Sequence, residues 1–120
     1  NLFMVSDMYS HPTSTNNLSN FILHLISNKI VANDNIELLH FRDYGKPISP
    51  FQFANLIMQS IIKYNNLKNK ITPIPYCKYK TKVVRPYFSA MNIRKTIMKY
   101  KFKPNNWKIE IQNLIINKIK

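Results

Sequence analysis

Two tyrosines stand four residues ahead of a lysine: Tyr64 with Lys68, and Tyr76 with Lys80. On a helix that spacing sets an ammonium one turn from a phenol and lowers the phenol pKa, as proton donation beside a hydride transfer requires. The chain has 7 tyrosines and 15 lysines, so such pairs arise readily from composition. Tyr64 falls at the predicted end of a helix, and Tyr76 follows Pro75, so neither has the setting this chemistry needs. No glycine-rich phosphate loop is possible, because Gly45 is the single glycine and the dinucleotide turn needs three.

The other reactive residue types are scattered. His11, His24 and His40 show no H-x-x-x-H or H-E-x-x-H spacing, and Cys77 is the lone cysteine. No metal set and no intramolecular disulfide follow, which fits a reducing cytoplasm. The five acids (Asp7, Asp34, Glu37, Asp43, Glu110) are not paired as a glycosidase needs. "DMYSHPT", residues 7 to 13, holds Asp7 and His11 as an orienter and a base, but no nucleophile accompanies them. Arg85 in "VVRPYFSAMN" stands out in a chain that uses Lys over Arg 15 to 3. Its planar fork suits phosphate or carboxylate; a structural arginine bound to a loop carbonyl fits equally well.

The elements that must position these residues follow from periodicity and punctuation. Residues 2 to 6 predict a short buried strand. Pro12 keeps His11 from helical angles, so the loop runs up to a helix over 15–28. There Leu18, Phe21, Ile22, Leu25 and Ile26 form one stripe, with Ser14 or Thr15 as cap. "IELLHF" (36–41) reads as a second strand and "RDYGKPI" as a turn. Ser49, Pro50 and Gln52 then give a cap, a first-turn proline and a capping box for a second helix. Its stripe is Ala54, Ile57, Met58, Ile61 and Ile62. "KITPIP" (70–75) predicts an edge strand, residues 76–86 an irregular basic stretch, and "YFSAM" an extended one. Asn92 caps a short helix to Tyr100. A last helix starts near Pro104, with Trp107, Ile111, Leu114 and Ile115 on one face. The expectation is a mixed α/β piece of about four helices and three short strands, forming one domain over residues 1–120.

The 120 residues carry a net charge of +13, and 15 of 18 basic residues lie from Lys63 onward. Such a field attracts phosphates, nucleic acid or anionic lipid. Lys, Asn and Ile together supply 48 residues, so AT-rich coding explains the excess as well. No apolar run is long enough to span a bilayer, and no membrane partner is expected. The chain opens on Asn1 and enters a strand at once, which reads as a fragment lacking an N-terminal portion.

The order and spacing of four blocks resemble the dTDP-4-dehydrorhamnose reductases, a branch of the extended short-chain dehydrogenases. "VSDMYSHPTSTNNLSNFILHLI" is similar to their V-x-D-Q-x-G-x-P-T-x-x-x-D-L-A block. "IELLHFRDYGKPISPFQFANLIM" is similar to G-I-Y-H-x-x-G-x-G-x-x-S-W-Y-E-F-A. The stretch from "ITPIPYC" to "NNWKIEI" resembles I-x-P-I-x-T-x-E-Y-P-T-x-A-x-R-P-x-x-S-x-L-D and the closing P-x-x-W helix. The resemblance implies the C-terminal, substrate-binding part of a Rossmann-type enzyme. NADPH or NADH would be held by a missing N-terminal Rossmann domain that also carries the catalytic pair, so neither a catalytic nor a cofactor residue is expected in this chain. The whole enzyme would reduce dTDP-4-dehydro-L-rhamnose to dTDP-L-rhamnose for cell-surface polysaccharide, and this piece alone would be inactive. The resemblance makes Asp7, Pro12, Thr13, Arg85 and Ser89 the candidate substrate-binding residues, with Arg85 on a nucleotide phosphate. Where the family has Gln, Gly, a small residue and the Asp of D-L-A, this chain has Met8, Ser10, His11 and Asn17.

The implied partners are the dTDP-sugar and the chain's own Rossmann domain, with a homodimer compatible. Two alternatives stand beside this reading. One is a regulatory relative similar to the methionine adenosyltransferase β subunit; the other is a small basic protein binding nucleic acid or a membrane surface.

Overall fold

A computed structural model describes residues 1–28, 36–62 and 70–119. Strand β1 (Leu2–Val5) pairs in parallel with β2 (Ile71–Ile74), Leu2 opposite Ile71 and Val5 opposite Ile74. Between them come helices α1 (Thr15–Ser27) and α2 (Pro50–Ile62). A single 3-10 turn (Tyr76–Lys78) follows β2, and helices α3 (Arg94–Tyr100) and α4 (Trp107–Ile119) close the chain. The mixed α/β class is as predicted. Among the described residues there are two strands rather than three, because residues 36–41 form no ladder. That segment is held by anchors instead. Thr96 donates its hydroxyl to the His40 carbonyl at 2.7 Å. The Phe41 ring stacks on Phe21 at 4.7 Å. His40 itself is exposed.

The helix caps follow the local chemistry. Ser14 Oγ accepts from the Asn17 N–H at 3.1 Å. Ser49 and Gln52 exchange hydrogen bonds at 3.2 Å each, a reciprocal capping box. The N-cap of α3 is Ile93 rather than Asn92, which stands one residue earlier and accepts at Oδ1 from the Arg94 N–H; Asn106 Oδ1 accepts from the Lys108 N–H at the start of α4.

The core has two aromatic centres. Around Phe21 gather Phe41, Phe102 and Tyr100. Around Trp107 gather Phe53 and the Gly45 backbone. α2 lies against β1, β2 and α4, which ties the second centre to the sheet. Two stripes are corrected. On α1 the inner face is Asn17 and Phe21, while Leu18, Ile22 and Ile26 are exposed. Asn17 takes the inner position because its amide is satisfied there, donating to the Asn105 carbonyl and accepting from the Asn105 N–H. On α4, Trp107 and Ile115 are buried but Leu114 is exposed. β1 is less buried than predicted, with Leu2 and Phe3 exposed.

Candidate functional site

The loop from Ser6 to Ser14 leaves β1 and enters α1, and it is stitched on both sides. Tyr9 donates its N–H to the Tyr87 carbonyl at 2.7 Å and accepts from the Ser89 N–H at 2.9 Å. Ser10 and Ile48 exchange backbone bonds at 3.2 and 2.9 Å. The loop is thus the middle rail between the segment around Phe88 and the entry to α2. Short bridges of this kind fix a loop's backbone without a full sheet.

On one side of that rail lies a cavity of about 450 Å³. Phe3, Met4, Val5 and Met8 give it an apolar floor. Tyr9, Tyr76 and Tyr79 supply aromatic walls, and Ser10, Ser89 and Arg85 supply polar groups. An apolar hollow with a few convergent polar groups is the usual form of a small-ligand site. Tyr76 builds one wall. Its hydroxyl donates to the Val83 carbonyl at 3.0 Å and accepts from the Arg85 N–H at 2.9 Å. Its ring meets Tyr87 edge-on at 5.6 Å. The Arg85 backbone is therefore anchored, while its guanidinium has no hydrogen-bond partner among the described residues. Asp7 is not among the residues that line this cavity; its Oδ1 accepts from the Tyr76 N–H at 2.8 Å and ties the rail to the tyrosine wall.

Pro12 and Thr13 line a separate concavity of about 920 Å³, shared with the start of α1 and one face of α4. The structure therefore brings Arg85 and Ser89 to one cavity and Pro12 and Thr13 to the other. Asp43, largely buried, also lines this second hollow, and its Oδ2 accepts from the Ser14 N–H at 3.0 Å. His11 Nε2–H donates to the Gly45 carbonyl at 3.1 Å, and its Nδ1 is buried without a partner. Burial holds the His11 imidazole below its ordinary value, the nearby Arg42 charge adds to this, and the Gly45 carbonyl opposes it.

The sign of the consequence is fixed. The unfolded chain takes up a proton near pH 6.5 and the folded chain only below that. Stability from this site is whole above pH 6.5 and is lost as the pH falls from there toward the lower folded value. Melting temperatures between pH 8 and 5 should fall more steeply for the wild type than for His11→Gln, the gap opening below pH 6.5. Parallel curves would refute the coupling.

Several structural actors carried no sequence signal of their own. Tyr76 entered as half of a Tyr-x-x-x-Lys pair, but its hydroxyl is committed to residues 83 and 85, and it stands in a 3-10 turn. The other pair, Tyr64 and Lys68, lies outside the described residues. Tyr79 lines the cavity with no motif marking it, and Met8, which stands where the family has Gln, lines it too. Among the described residues no cluster of three or more His, Cys, Asp or Glu side chains forms, and no helix is long and apolar enough to cross a membrane.

Residues 1–119 match the family model of the RmlD substrate binding domain. No curated protein sequence matches the chain significantly. The fold is shared with solved dTDP-4-dehydrorhamnose reductases. The Yersinia enterocolitica enzyme is 28% identical at a TM-score of 0.72, over 95% of this chain and 37% of that one. The Clostridium acetobutylicum protein is 22% identical at 0.77, over 99% and 39%. The Bacillus anthracis protein, solved in complex with NADP, is 20% identical at 0.71, over 97% and 38%. The chain thus spans under two fifths of the length of these structures.

Proposed function

Since the chain belongs to the RmlD substrate binding domain family, we propose that it is the sugar-nucleotide-binding part of a dTDP-4-dehydrorhamnose reductase. The observation that carries this is the family match over residues 1–119, with Arg85 placed in the aromatic-walled cavity. The intact protein would reduce the 4-keto carbon of dTDP-4-dehydro-L-rhamnose. This chain offers no dinucleotide turn, since Gly45, its one glycine, is packed against Trp107. NADPH or NADH, which supplies the hydride, would be bound by a separate Rossmann portion. The exposed Leu18, Ile22 and Ile26 on α1 suit packing against such a portion.

Within this reading each wall has a task. The guanidinium of Arg85 pairs with the pyrophosphate, where a bidentate fork is strongest. The rings of Tyr9, Tyr76 and Tyr79 give flat surfaces for a base, and the hydroxyls of Ser10 and Ser89 suit sugar or phosphate oxygens. Asp7 acts indirectly by fixing the Tyr76 backbone, and Pro12 and Thr13 by setting the loop's course into α1. Met8, where the family has Gln, presents a thioether to the cavity, so the polar contact of an amide is replaced by packing. The protein is read as cytoplasmic.

Arg85→Ala in the intact protein should raise KM for the dTDP-sugar about 10- to 100-fold, the loss of one charge-assisted contact. KM for NADPH should stay within about twofold. Equal effects on both substrates, or none, would remove Arg85 from the phosphate.

A further inference from the structure

We propose that the loop carrying Lys78, Lys80 and Lys82 is an electrostatic collar that draws a polyphosphate ligand into the Arg85 cavity; this rests on the sugar-nucleotide reading above. The three lysines alternate with Tyr79 and Thr81, both of which line the cavity. Each ammonium is therefore borne by a residue next to a wall residue. All three are exposed and make no ion pair among the described residues. No acid occurs anywhere from Tyr44 to Ile109. The carboxylate nearest in the bonding pattern, Asp7, is engaged by the Tyr76 N–H.

The collar is held in place rather than left to wander. Tyr76 is pinned at its N–H by Asp7 and at its hydroxyl by Val83 and Arg85. Thr81 Oγ1 exchanges bonds with Val83 at 3.3 Å, closing the loop between the second and third lysines and Arg85. Three charges carried on this fixed backbone, each one residue from a wall residue, sum to a field that guides an anion during approach. Arg85, inside, then supplies the short-range contact. Three of the 15 lysines fall on the segment that also gives the cavity Tyr79, Thr81 and Arg85. Long-range charges of this kind change how fast a ligand arrives more than how fast it leaves.

The division of labour makes the test specific. Stopped-flow association of dTDP with the intact protein, followed at about 20 to 300 mM salt, should slow roughly tenfold as screening grows. The triple variant K78Q/K80Q/K82Q should associate about tenfold more slowly at low salt, with a flattened salt dependence and a dissociation rate within about twofold. Charge reversal, K78E/K80E/K82E, should slow association further. Thymidine, which lacks phosphate, should show no salt dependence with either protein. Wild-type association rates in both lysine variants would overturn the collar while leaving the cavity assignment intact. Failure of the wild type to bind dTDP at any salt would overturn the sugar-nucleotide reading and the collar with it.

Discussion

Replacing Trp107 by alanine is expected to destabilise the protein by about 3–5 kcal/mol, the usual cost of removing a large buried aromatic ring. Trp107 is 2% exposed and packs on Phe53 with ring centroids 5.9 Å apart. Its indole Nε1–H donates to the Lys46 carbonyl at 3.1 Å, so truncation also strands that acceptor. The concavity beside it gives the neighbours nothing to collapse onto. A domain of this size holds about 5–15 kcal/mol in all, so the variant would sit near its unfolding threshold. Urea unfolding followed by circular dichroism measures the loss, since the variant has no tryptophan to report. Trp107→Phe keeps most of the ring and loses the donor, and should fall between the two. A loss under about 1 kcal/mol for the alanine variant would mean that the ring is not a structural centre.

What the residues disclosed in advance was local. Ser14, Ser49 and Gln52 act within three or four residues of themselves, and the structure uses each as a cap. The helices begin where those caps and Pro50 require. Residues 36–41 show where local reading stops. Their apolar character is that of a strand, but a strand needs a neighbour, and β1 pairs instead with β2, some seventy residues away in sequence. α1 shows a second limit. A stripe is read by counting apolar residues, which selects Leu18 and passes over Asn17. Burial of Asn17 depends on the backbone of Asn105, whose position no pattern on α1 can announce.

The candidate site divides in the same way. Arg85 was visible because an arginine is unusual in this composition, and it lies in a cavity with Ser89. The loop "DMYSHPT" was visible as a dense set of polar residues, but its parts serve different places. Asp7 holds Tyr76, Tyr9 and Ser10 carry the rail, His11 meets Gly45, and Thr13 faces the other hollow. The tyrosine wall was hidden because Tyr76 and Tyr79, joined locally by the 3-10 turn, meet Tyr9 only through long-range bonds. A count of aromatic residues flags their abundance, not their meeting point.

Gly45→Ala carries the second large effect, and a cycle with Trp107 separates its causes. Gly45 has φ of +130°, a conformation that residues with a side chain rarely adopt. A Cβ there would stand 2.6 Å from Trp107 Nε1 and 2.7 Å from Cδ1, inside contact distance. The ring cannot swing aside without giving up the Lys46 carbonyl and its packing on Phe53. Backbone strain and overpacking together predict a loss of about 3–4 kcal/mol. In a Trp107→Ala background the clash with the ring disappears, leaving the backbone strain and a tight 3.3 Å approach to Asn106 Oδ1, so the same substitution should then cost about 1–2 kcal/mol. The two losses should therefore add to less than their sum, by about 1–3 kcal/mol. Strict additivity would show that the glycine is required by its backbone alone, and that its closeness to the indole is incidental.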